Sequence, residues 1–249
     1  MTTKLCTLVT GASSGIGREI AVRISGYNSL ILCGRNRARL EETRQACCQP
    51  QNHSLWQADL NDIGQIGLNL AKLMSDNKIH VENFVHSAAV NKIMPVRAVD
   101  YKTASDIMNT NCLSAAVIIS LLLKKAVNSQ QLKTITFISS IASKCGAKGL
   151  SIYSASKGAL DAMMRSLAVE LAPNIRVNSV LPGAVKTKMN EYMSSTPEDE
   201  ELFNRNYPLG AGEPNDIVNA VEFLISAKAR WITGQQIVID GGRSINITM

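Results

Sequence analysis

The chain has 249 residues, 45% hydrophobic and 18% charged, which suits one large core and excludes a disordered chain or a small disulfide-stapled module. The net charge of +6 is spread from Arg18 to Arg243 with no long Lys/Arg tract, which argues against a nucleic-acid partner; an anionic cofactor explains part of the excess equally well. The longest apolar stretch, Ala115 to Leu123, is broken by Ser120 and ends at Lys124-Lys125, so no membrane span is expected.

In chain order, Leu5–Val9 reads as a strand and Gly15–Ile24 as a helix, with Ile16, Ile20 and Ile24 repeating at four. Ser29–Cys33 is a second strand, followed by a polar helix from Arg37 to about Cys47. Ser54–Ala58 is a third strand, Ile63 to about Ser75 a helix, and Asn83–His86 the end of a fourth strand. A long helix is expected within Ala104–Val127, then strand Thr134–Ile138 and helix Tyr153–Leu171, stopped by Pro173. Strand Arg176–Val180, helix Ile217–Ile225 and strand Gln236–Ile239 complete the series. Short apolar strands alternating with longer helices predict an α/β fold: a doubly wound, Rossmann-type parallel sheet with helices on both faces, in one domain over 1–249. The polar stretch Pro182–Pro208, with Pro197-Glu198-Asp199-Glu200-Glu201, breaks the rhythm; its 189–208 part suits a substrate lid, and equally an exposed helical excursion.

The six cysteines form no C-x-x-C, and the three histidines are scattered, so no metal site is expected and the cysteines read as apolar filler in a reducing compartment. The four residues before the first strand are too few for a signal peptide, and a cytoplasmic location is expected.

Gly11, Ser13, Ser14, Gly15, Ile16 and Gly17 fall where the first strand meets the first helix. Glycines there permit a tight turn and close approach of the backbone to a phosphate, and the helix start offers unpaired N–H groups. The second strand ends at Gly34-Arg35, where a unit that binds NAD usually places an acid for the ribose diol. A guanidinium would grip a 2′-phosphate, so NADP(H) is favoured over NAD(H); the alternative is that Arg35 and Arg37 are solvated helix-start residues. Asp59 can accept from the adenine amino group or cap the next helix.

Tyr153 and Lys157 stand four apart on one helix, with their side chains on one face. A nearby ammonium favours the phenolate of a tyrosine, making the pair fit for proton transfer at neutral pH. Ser140, after an apolar run, can hold a carbonyl oxygen or close a turn among Ser139 and Ser143. Asn111 can anchor a water on a path from Lys157 to solvent, or bond backbone. Together these residues point to hydride transfer between a nicotinamide cofactor and a carbonyl.

On these motifs the chain resembles the classical short-chain dehydrogenase/reductase family over essentially its whole length. The glycine run Thr10–Gly17 and the quartet Asn111, Ser140, Tyr153 and Lys157 carry the likeness, with Pro182-Gly183 and the closing Asp240-Gly241-Gly242. The resemblance implies cofactor contacts at Asp59, Leu60, Ala88, Val185 and Thr187, with Tyr153 and Lys157 beside the nicotinamide ribose, and a homo-tetramer or homo-dimer. Ala159, Ala162, Met163 and Leu167 form a small-residue face that suits such pairing or packing on the sheet. Where the family commonly has Asn-Asn-Ala-Gly, this chain reads His86-Ser87-Ala88-Ala89, with His86 read as a satisfied core histidine. The chain is similar to 3-oxoacyl-[acyl-carrier-protein] reductases, implying NADPH-dependent reduction of a ketone or 3-oxoacyl thioester. The alternatives are an NAD(P)-dependent dehydrogenase of a sugar, polyol or small alcohol, and a nucleotide-bound scaffold with little turnover.

Overall fold

In the computed structural model, which describes residues 4–187, 196, 201 and 205–246, seven strands form one sheet. They are β1 (Lys4–Thr10), β2 (Ser29–Gly34), β3 (Ser54–Gln57), β4 (Ile79–His86), β5 (Thr134–Ile138), β6 (Arg176–Pro182) and β7 (Gln236–Ile239). All pairings are parallel, in the order β3-β2-β1-β4-β5-β6-β7. The order reverses between β1 and β4, where an open parallel sheet leaves a crevice beyond its carboxyl ends.

Alternate strand residues feed two cores. On one side Leu8, Ile31, Phe84 and Phe137 pack on α3 (Ile63–Asn77), α5 (Ser114–Leu122) and α7 (Ser151–Glu170). On the other, Val9, Leu32, Val85 and Ile138 meet α1 (Gly15–Ile24), α2 (Arg37–Ala46) and α8 (Pro214–Ile225). Burial on both faces explains why the strands are continuously apolar rather than alternating. Met163 and Leu167 are partly buried against the first core, whereas Ala162 is exposed, so the small-residue face of α7 is divided between core and surface.

The expected helix over Ala104–Val127 is not continuous. It runs as α4 (Tyr101–Met108), a π turn at Asn109–Leu113 and α5, then breaks before the short α6 (Lys125–Asn128). Its apolar run from Tyr101 to Leu122 is long enough to cross a membrane by length and composition, but half of it is buried inside the fold. The helix α8 begins three residues earlier than its periodicity predicts: Pro214 takes the first helical position, and Asp216 accepts from the Glu213 amide at 2.8 Å. Of the expected lid, only Thr196, Glu201 and 205–208 fall within the described residues; the rest lies outside them.

Candidate active site

The strand register sets the site. Thr10 lies opposite both Cys33 and His86, His86 opposite Phe137, and Phe137 opposite Ser179. The loops leaving β1, β2, β4, β5 and β6 therefore open on one side and enclose a cavity of about 580 Å³.

The glycine turn forms one wall. Gly11 has φ +71°, and a Cβ there would meet the Ala88 nitrogen at 2.8 Å; a Cβ on Gly17 would strike the Gly11 carbonyl oxygen. The turn is tied down by Ala12 N–H to Cys33 O at 3.0 Å and by the Thr43 hydroxyl to Ala12 O at 2.9 Å. Ser14, the N-cap of α1, makes no side-chain cap bond, so the helix start keeps its donor character. Gly11, Ser13, Ser14, Gly15, Ile16 and Gly17 all line the cavity, as do Arg35, Asp59, Leu60, Ala88, Val185 and Thr187. These residues fit a dinucleotide: bare backbone and helix-start amides line the cavity, and a Cβ at Gly11 or Gly17 would push apart the turn and the loop after β4 that shape it.

Arg35 and Arg37 part company. Arg35 lines the cavity, while Arg37 lies inside α2, exposed and off the wall. Asp59 accepts from Asn61 N–H at 3.0 Å, closing a turn ahead of α3. Leu60 does double duty as cavity wall and core residue.

At the other end, Ser140, Tyr153 and Lys157 share the same wall. The Ser140 hydroxyl oxygen accepts from Ala142 N–H at 3.1 Å, so the serine does close a turn, and its own proton stays available to a second partner. Lys157 is 1% exposed and donates to the Ile138 carbonyl at 2.7 Å, while its ammonium sits 5.8 Å from the centre of the Tyr153 ring. Burial pulls the Lys157 pKa down to about 8, against the opposing pull of Asp161 one turn along α7.

Asn111 is fully buried one layer beneath the wall, in the π turn. Its side chain accepts from Val90 N–H at 2.8 Å and donates to Val90 O and to the Ser156 hydroxyl, each at 3.0 Å. It thus joins the loop after β4 to the residue preceding Lys157. Its carbonyl oxygen takes Nε2 of His86 at 3.3 Å, and Nδ1 of His86 meets the Thr10 hydroxyl at 2.9 Å. His86 is a fully satisfied core histidine, as its sequence context suggests, and burial holds its pKa near 3.

Sequence reasoning missed the Ile138 carbonyl, which no side-chain motif can announce. It also passed over Val90, Ile141, Arg243 and Asn246, which line the cavity or its supports, whereas Tyr207, also on the wall, falls within the expected 189–208 lid. Only Arg243, following Gly241-Gly242 at the end of the last strand, offered a positional signal.

A family model described as enoyl-(acyl carrier protein) reductase matches residues 11–244. A chloroplastic tropinone reductase homolog of Arabidopsis thaliana is 32% identical over 97% of this chain and 76% of its own. The chain belongs to the short-chain dehydrogenase/reductase family. Among solved structures, a 4-hydroxyisoleucine dehydrogenase complexed with NADH superposes with a TM-score of 0.90 at 28% identity, covering 98% of this chain and 99% of its own. A short-chain dehydrogenase/reductase from Brucella melitensis described as glucose/ribitol dehydrogenase gives 0.86 at 26% identity, over 98% and 97%. As a family member with these relatives, the protein is an NAD(P)-dependent oxidoreductase.

Proposed function

We propose that this short-chain oxidoreductase reduces a ketone to a secondary alcohol with NADPH. One observation carries the reading: Tyr153, Lys157 and Ser140 meet on the wall of the cavity that the glycine turn opens at its far end. A bound nicotinamide would supply hydride to the carbonyl carbon.

The chain's own residues handle the oxygen. The Ser140 hydroxyl, already accepting from Ala142, orients its remaining proton toward the carbonyl oxygen. Tyr153 gives its proton to that oxygen as negative charge develops. The Lys157 ammonium stabilises the phenolate left behind, and its hydrogen bond to Ile138 O fixes it at the end of β5, two residues from Ser140. Asn111 holds the loop after β4 against α7, and so positions the residue next to Lys157; a water anchored beside it would complete the path that reprotonates Lys157. Gly11, Ser13, Ser14, Gly15, Ile16 and Gly17 would hold the pyrophosphate side, Asp59 and Leu60 the adenine, and Ala88, Val185 and Thr187 the nicotinamide half. Arg35 favours the 2′-phosphate form, because β2 ends without the acid that would repel it.

The test is Tyr153→Phe assayed with NADPH across ketones, 3-oxoacyl thioesters and sugars. Turnover should fall by roughly 10²–10⁴-fold while NADPH binding changes by less than about twofold. Full turnover by the phenylalanine variant would overturn the mechanism.

A further inference from the structure

The strand order sorts the charges on the cavity wall. Arg35 and Asp59 follow β2 and β3 at one end of the sheet; Ser140 and Tyr153 follow β5; Arg243 follows β7 at the opposite end. Arg243 thus leaves the sheet at the edge opposite the strands that carry Arg35 and Asp59, and lines the same cavity as Ser140 and Tyr153.

Arg243 is half-buried on this wall and has no carboxylate partner among the described residues. The nearest acid in sequence is otherwise engaged. One oxygen of Asp240 accepts from Gly242 N–H at 3.0 Å and the other from Ser244 N–H at 2.7 Å. Asp59 is the one acid on the described wall, and it sits at the nucleotide end. The lining residues that follow Ser140 up to Leu150 are Ile141, Ala142, Cys145, Gly146, Ala147 and Leu150, none of them charged. A guanidinium on a wall whose described residues offer it no counter-charge is a site for an anion that arrives with the substrate.

We propose that Arg243 is the anion subsite of the substrate pocket, and that the substrate is a ketone carrying a carboxylate. This rests on the ketone-reductase reading for the reaction, but binding at Arg243 can be measured without it. The carboxylate pairs in a fork with the guanidinium, while the carbonyl oxygen is left to Ser140 and Tyr153. The distance between carbonyl and carboxylate in the substrate then sets whether both ends engage at once.

The experiment uses 2-, 3-, 4- and 5-oxo carboxylates, each paired with its neutral methyl ester, with the wild-type protein, Arg243→Gln and Arg243→Lys. Reduction is followed at saturating NADPH, and binding is measured by calorimetry with NADP⁺ present. In wild type at least one acid should exceed its ester by roughly 10–100-fold in both kcat/KM and affinity. Arg243→Gln should bring that ratio close to one, and Arg243→Lys should keep part of it. Arg243-dependent binding of an acid without reduction would uphold the subsite and refute the reductase reading. Ketone reduction with acid and ester equal, or a ratio indifferent to Arg243, would refute the subsite and leave the reductase reading standing. Neither binding nor reduction across the series would refute both.

Discussion

His86 bridges Thr10, at the end of β1, and Asn111, in the π turn: its Nδ1 is 2.9 Å from the threonine hydroxyl and its Nε2 is 3.3 Å from the asparagine carbonyl. A carbonyl only accepts, so Nε2 carries the hydrogen and Nδ1 takes the hydroxyl proton. The Thr10 oxygen in turn accepts from the amides of Ser87 and Ala88, each at 3.2 Å. A neutral imidazole thus links the root of the glycine turn to the residue that braces Lys157.

That neutrality predicts acid sensitivity. The folded pKa near 3 lies below the ordinary 6.5, so between these values the unfolded chain binds the extra proton. The His86 contribution to stability is fully present above about pH 6.5 and falls by up to about 1.4 kcal/mol per pH unit below it. His53, whose pKa burial also lowers, adds to the same trend. Urea unfolding from pH 7.5 to 5 should show a shallower decline for His86→Asn than for wild type. Identical slopes would contradict the assignment.

Lys157 predicts an alkaline limit to the proposed ketone reduction. As pH rises through about 8 the buried ammonium loses its proton, and the phenolate of Tyr153 loses its support. The kcat/KM profile should be level below that point and fall above it. Asp161 is 2% exposed, with neither carboxylate oxygen hydrogen-bonded to protein, and its charge holds the lysine pKa up. Asp161→Asn should therefore move the break to lower pH. An unmoved break would show that the carboxylate does not act on Lys157.

Arg35→Asp should turn the proposed preference for NADPH toward NADH. The exposed guanidinium would be replaced by an acid that accepts from a ribose diol and repels a 2′-phosphate. The NADPH/NADH ratio of kcat/KM should fall by roughly 10–100-fold. Initial-rate kinetics with both nucleotides checks this, and an unchanged ratio would place Arg35 outside the recognition site.

Gly17→Ala should harm both fold and binding, because its methyl would land on the Gly11 carbonyl. Overpacking of this kind costs about 1–3 kcal/mol, and relief would come by displacing the turn. A melting temperature lower by several degrees, with nucleotide affinity weakened at least about tenfold, is the expected pair of results. Thermal melts and nucleotide titration measure them, and a variant matching wild type in both would show that the turn tolerates the methyl.

The sheet was legible because its strands are short, apolar and buried on both faces, and the helices between them keep a period near four, as at Ile16, Ile20 and Ile24. The glycine turn and the Tyr153–Lys157 pair were legible because each is local. The split of the 104–127 helix was hidden, since a π turn changes backbone spacing while the apolar pattern runs on through Cys112, Ala115 and Ile118. The bonds of His86 were hidden too: its partners lie 76 and 25 residues away and meet it only through strand pairing and helix packing. Arg243 reaches the wall through the position of β7 in the sheet, which its neighbours in sequence do not reveal.

The widened turn at Asn109–Leu113 also makes this stretch of chain intolerant of changes in length. A regular α-helix advances about 100° per residue, so removing one residue to tighten the coil would swing Asn111 away from Val90 and Ser156, or drag α4 around its axis. Surface loops can grow or shrink freely, but an insertion or deletion here would disconnect the brace beneath Lys157 while leaving every strand in place.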